Sequence, residues 1–137
     1  MDPIIDTHQH LWDLNRFHLP WIEPGSRLAR NHVMSDYLRE TAGCDVVGTI
    51  YMEVDVAPDQ QPDEAEYVVD LCRQPDNPMR GAVISGRPVE PGFEAYIRRF
   101  SGPGDGGYVK GVRQVLHGSM PAGFCLHPEY IQSVRLL

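Results

Sequence analysis

The sequence predicts an α/β fold, with consecutive strand–helix units laid on a parallel sheet. Three observations lead there. Short apolar runs rich in β-branched residues alternate with stripes of apolar residues at helical spacing. Gly and Pro, 13 and 12 in number, punctuate the chain and form no low-complexity block. The residues able to do chemistry stand where the apolar runs end, the edge at which parallel α/β folds gather their sites.

The first strand spans 3–9 and runs into His8, Gln9 and His10. Residues 11–34 form a long irregular segment with Trp12, Trp21 and the turn signals Leu19-Pro20 and Pro24-Gly25. A loop of that length ordinarily covers something. Its tryptophans can wall a pocket or anchor the loop by burying aromatic area. Ser35 is the expected N-cap of a helix over 36–42 that stops at Gly43. Residues 46–54 read as a strand buried on both faces, ending in Glu53 and Asp55. After a polar loop at 57–63, Ala65, Val68, Val69 and Cys72 mark the stripe of a second helix, ended by Pro75 and Pro78. A third strand covers 80–85, and Phe93, Tyr96, Ile97 and Phe100 mark a third helix. The glycine-proline tract 102–107 precedes a strand rather than opening a helix, so it is a connection and not a phosphate cradle. The fourth strand covers 109–116 and ends at His117. A last helix starts within 127–137 and has no stop signal before Leu137, as though the chain were cut inside it. The order β-α-β-α-β-α-β-α suits an open doubly wound sheet or half of an eight-unit barrel, which normally needs about 250 residues.

Bulk properties narrow the function classes. A chain of 137 residues that is 42% hydrophobic and 23% charged suits one globular domain. Its net charge of −7 argues against nucleic acid or an anionic membrane as partner. No basic leader or membrane-length apolar run is present, which points to the cytoplasm. Cys44, Cys72 and Cys125 are odd in number and widely spaced, as for free thiols, with Cys72 in the core.

His8 and His10 carry the sharpest signal. On a strand they share a face with each other and with Asp6, and two such imidazoles can grip one divalent metal ion. The plainer alternative is two polar residues closing a strand. Glu53, Asp55, Arg87, Arg113 and His117 stand at the other strand ends, a concentration that favours a functional site.

The stretches Ile5-Asp6-Thr7-His8-Gln9-His10-Leu11-Trp12-Asp13, Leu19-Pro20-Trp21-Ile22 and Gly111-Val112-Arg113-Gln114 resemble the amidohydrolase superfamily. The branch is that of the sugar-lactone and pyrone-dicarboxylate lactonases, also called amidohydrolase 2. The resemblance implies the N-terminal half, about four βα units, of a TIM (β/α)8 barrel. It implies a hydrolase acting on a lactone of a sugar acid or dicarboxylate. His8 and His10 would hold a divalent metal, zinc first and manganese next, with a metal-free route through a positively lined pocket open. Arg113 would bind a substrate carboxylate, with Trp12, Glu53 and His117 beside it. Glu53 could equally be a solvated strand terminus. The family's later strands supply further histidines and an aspartate as general base, and these are expected beyond Leu137. The alternative is a non-catalytic binding module or a half-barrel that pairs with a second copy.

Overall fold

The computed structural model describes residues 2–102, 107–118 and 120–137. The tract 102–107 therefore falls largely outside the described residues. Four parallel strands, β1 (Ile4–Gln9), β2 (Val46–Met52), β3 (Met79–Ser85) and β4 (Val109–Arg113), lie side by side in sequence order. Between and after them come α1 (Met34–Glu40), α2 (Gln61–Arg73), α3 (Phe93–Phe100) and α4 (Pro128–Val134). Sequential parallel neighbours joined by helices are the architecture of a barrel's consecutive βα units.

Each element has a local cause. α2 begins at Gln61 with Pro62 in its first turn, where a missing N–H costs nothing, and Asp63 and Glu64 follow at the positive end. Its far end is closed by Asn77, whose Nδ2 donates to the Leu71 carbonyl while its Oδ1 accepts from Met79 N–H at the start of β3. α3 starts after Gly92, which takes φ +91°, a conformation that favours glycine. α1 departs from expectation. It starts at Met34 rather than after Ser35, and Val33 is the capping position. Asp36 supplies the cap from inside, accepting the Val33 N–H at 3.0 Å. Strands β2 and β4 are shorter than their apolar runs, because pairing stops where neighbours stop: Arg113 is the last residue of β4 and pairs with Ser85, the last of β3.

The core lies between the sheet and α2. Ala65, Val68 and Val69 of α2 pack with Met79, Ala82 and Ile84 of β3, joined by Phe100 of α3. Cys72 is buried as expected, and burial pushes its thiol up to about 11. Residues Leu11, Trp12, Phe17 and Leu19 of the long loop belong to the same core. Burial is incomplete in β1, and the expected burial of β2 on both faces does not hold. Ile4 and Ile5 of β1 are 41% and 64% exposed, because β1 is an edge strand. In β2, Tyr51 is buried with its hydroxyl on Glu64 of α2, whereas Ile50 and Met52, on the opposite face, are only half covered, and Val47 near the strand's start is exposed. A closed barrel would put strands opposite that second face.

Gly86, directly after β3, donates its N–H to the Arg113 carbonyl. A Cβ there would stand 2.3 Å from Val112 Cγ1 and 3.0 Å from Phe93 Cε2. Gly86→Ala should therefore lower stability by roughly 1–3 kcal/mol through overpacking, read from the urea midpoint of wild type and variant.

Candidate active site

The C-terminal strand ends and the long loop enclose a cavity of about 380 Å³. His10, Trp12, Trp21, Glu53, Arg113 and His117 line it. The polar groups anticipated at the ends of β1, β2 and β4 thus meet around one space, while His8 and Arg87 are not among those lining it.

His8 stands beside that space. The His8 and His10 rings lie 4.9 Å apart, edge to face. His10 Nδ1 is 2.9 Å from the Met52 carbonyl, to which it can only donate. The remaining nitrogen, Nε2, is then the lone pair. This is the arrangement by which a backbone carbonyl fixes the tautomer of a metal-ligating imidazole. Desolvation pushes His10 below the usual histidine range against the opposing pull of the Met52 bond, and His8 and Arg113 add to the lowering. A neutral ring is the form that ligates metal. Asp6 does not join them. Its Oδ2 accepts from Tyr37 of α1 at 2.9 Å, its Oδ1 accepts the His8 N–H at 3.0 Å, and the β1–β2 register slips between Asp6 and Gln9, which breaks the simple alternation. Burial and the Asp6 bond push the Tyr37 phenol up to about 12. His8 and His10 thus stand as two neighbouring imidazole donors, and among the described residues no group of three or more His, Cys, Asp or Glu could hold a metal ion.

Glu53 is not a solvated strand terminus. It is buried at 1% exposure. Its Oε2 accepts from Asp55 N–H at 2.7 Å and lies 2.9 Å from Ser85 Oγ. Its Oε1 is 2.9 Å from Arg113 Nη1, though the N–H itself is aimed at the Glu53 carbonyl oxygen, 3.1 Å away. Asp55 turns the chain there with φ +51°, a left-handed value that Asp tolerates. Arg113 engages protein only through Nη1 among the described residues.

Both roles weighed for the tryptophans are filled. Trp12 Nε1 donates to the Arg30 carbonyl and Trp21 Nε1 to the Val54 carbonyl, which anchors the loop. The two rings meet edge to face at 5.8 Å, and both line the cavity. His117 lies past the end of β4 and is exposed. Arg87 stands aside, 3.9 Å from Asp55.

Two participants carried no sequence signal. Glu64 of α2 and Ser85 of β3 are each 1% exposed and lie beneath Glu53. A glutamate in a helix's first turn ordinarily faces water, and a serine closing a strand is unremarkable in pattern. Only the packing of α2 on β3 brings them together.

Comparison with solved structures gives the class. An amidohydrolase 2 from Bifidobacterium longum subsp. infantis aligns with 28% identity and TM-score 0.65, over 98% of this chain and 47% of that one. An amidohydrolase from Burkholderia multivorans, with zinc bound, aligns with 18% identity and TM-score 0.70, over 94% and 43%. A probable 2-pyrone-4,6-dicarboxylic acid hydrolase from Acinetobacter baumannii, with citric acid bound, aligns with 12% identity and TM-score 0.64, over 96% and 44%. No family model matches, and no curated protein matches. The chain spans less than half the length of the structures it matches. The fold is that of about four βα units of a TIM barrel, and the resemblance to amidohydrolase 2 proteins holds in three dimensions. No helix among the described residues is long and apolar enough to cross a membrane.

The Glu53–Arg113 contact should behave as one unit. In a double-mutant cycle of Glu53→Gln and Arg113→Met, the two losses of stability should fail to add by roughly 0.5–3 kcal/mol, measured by chemical denaturation. Strict additivity would mean that the pair is not formed in solution.

Proposed function

We propose that this chain carries half the active site of an amidohydrolase-type hydrolase whose substrate is a lactone of a sugar acid or dicarboxylate. The observation that supports it best is the facing of two kinds of group across one cavity. On one wall is a neutral imidazole with its Nε2 free, and on the other a guanidinium with free donors. In this reading Arg113 takes the substrate carboxylate, for which a planar fork of N–H donors is suited. Trp12 and Trp21 cover the ring and limit water, and His117 lines the same space. Glu53 orients Arg113 and, lining the same cavity, stands beside the substrate. His8 and His10 would hold a divalent ion, zinc by donor type, with manganese as second choice. Such an ion supplies Lewis-acid polarisation of a carbonyl. A metal-free route, with Arg113 alone polarising the substrate, is the variant reading. Further ligands and the general base belong to βα units that would complete the barrel, so the 137 residues alone should turn over little or no lactone. The domain is on this account one partial barrel, and its setting is cytoplasmic.

Titrations followed by NMR test this on the chain itself. Zinc should move the imidazole signals of His8 and His10, and His8→Ala/His10→Ala should abolish that response. Citrate should perturb the Arg113 side chain, and Arg113→Lys should weaken citrate binding by about tenfold, or 1.4 kcal/mol. Equal perturbation by an uncharged sugar would sink the anionic-substrate assignment, and zinc binding unaffected by the double variant would sink the metal assignment.

Self-assembly is a second reading, favoured by the exposed Ile4 and Ile5 on the β1 edge. Two copies pairing edge to edge would form eight strands. Analytical ultracentrifugation should then give a tight dimer, and a monomer would exclude it.

A further inference from the structure

We propose that Glu64 is held as a neutral carboxylic acid and serves as a positioning residue, fixing the Glu53–Arg113 pair from below through the hydroxyl of Ser85. Hydrogen counting leads there. Ser85 Oγ lies 2.6 Å from Glu64 Oε2 and 2.9 Å from Glu53 Oε2, with all three residues buried. A serine hydroxyl has a single hydrogen to donate. Were both glutamates ionised, one of these contacts would set lone pair against lone pair in a buried site, which is strongly unfavourable. One carboxyl must carry a proton, and that proton points at Ser85 Oγ.

The surroundings decide which one. Glu53 has the Arg113 guanidinium 2.9 Å from Oε1 and receives the Asp55 N–H at Oε2. Those partners suit the anion. The titratable groups facing Glu64 are Tyr51 from β2, Tyr96 from α3, and Glu53 itself, none of them a cation. Burial raises the Glu64 carboxyl above its ordinary value, reinforced by the charge of Glu53 and opposed by the hydrogen bonds it shares with Ser85, Val54 and Tyr51. The atoms divide in the same way. Glu64 Oε1 accepts both Tyr51 Oη and the Val54 N–H, each at 2.9 Å, as a carbonyl oxygen with two lone pairs does. Oε2 makes one short contact, as a hydroxyl does. The chain is then Glu64 donating to Ser85, Ser85 donating to Glu53, and Glu53 facing Arg113.

The arrangement has a consequence for the cavity. With Glu64 neutral, the four groups sum to zero charge, and Arg113 answers one carboxylate rather than two. Its Nε and Nη2 keep no protein acceptor among the described residues, so they are available to an anion. This last role rests on the proposed anionic substrate, whereas the protonation of Glu64 does not.

The test uses neither ligand nor metal. Infrared spectra of the 137-residue chain in heavy water at neutral pH should contain the carbonyl stretch of a protonated carboxylic acid. Glu64→Gln should remove that band, and Glu53→Gln should not. A wild-type spectrum without the band overturns the proposal by itself. A band that survives Glu64→Gln and vanishes in Glu53→Gln overturns it too. Thermal unfolding against pH gives a second readout. The unfolded Glu64 releases its proton near the ordinary glutamate value of 4.5, while the folded group holds it to higher pH. The unfolded state thus binds fewer protons above that point, and wild-type stability should fall with rising pH until the folded group ionises. Glu64→Gln cannot titrate, so its Tm should decline less as the pH rises above about 4.5. Parallel Tm profiles for the two proteins would overturn the assignment, and a merely structural role for Glu64 predicts that parallel outcome.

Discussion

The ion pair between Glu53 and Arg113 is the constraint on which the site depends. It reaches from the end of β2 to the end of β4, across β3, whose last residue Ser85 binds Glu53 from its own side. Three neighbouring strands are thus tied at one edge by a carboxylate, a hydroxyl and a guanidinium. A parallel sheet leaves its last carbonyls and side chains unsatisfied at this edge, so polar groups there must find each other or water. Here they find each other, which fixes the depth and position of the cavity floor.

The long loop closes the cavity by the opposite means. Trp12 is buried and Trp21 half covered, and both satisfy their indole N–H groups on backbone carbonyls. Polar floor and aromatic cover together suit a small ring bearing charge, the kind of molecule proposed as substrate. The face of β2 away from α2 remains half covered, and the β1 edge exposes Ile4 and Ile5. The solved structures this chain matches are about twice as long.

The two histidines show how chemistry can be prepared by backbone alone. The Met52 carbonyl sets the His10 tautomer, and that carbonyl is placed by the parallel pairing of β1 with β2. No side chain is required for this orientation. Asp6, drawn off by Tyr37, instead fastens α1 to the sheet.

The amino-acid sequence by itself determined the alternation of strands and helices, the stripe of α2 and the polar strand ends at His8, His10, Glu53 and Arg113. Those features follow from local periodicity and from where apolar runs stop. It misplaced the start of α1, because Asp36 caps from within where Ser35 offered the usual signal. It overran β2 and β4, because a strand's length is set by its neighbours as well as by its own residues. Only the tertiary structure decided that Glu53 is buried and paired, that both tryptophans serve one cavity, and that Glu64 and Ser85 lie beneath it. Glu64 and Glu53 belong to different elements, and Arg113 is 60 residues from Glu53. Long-range packing sets their solvation and partners, and no local pattern encodes that.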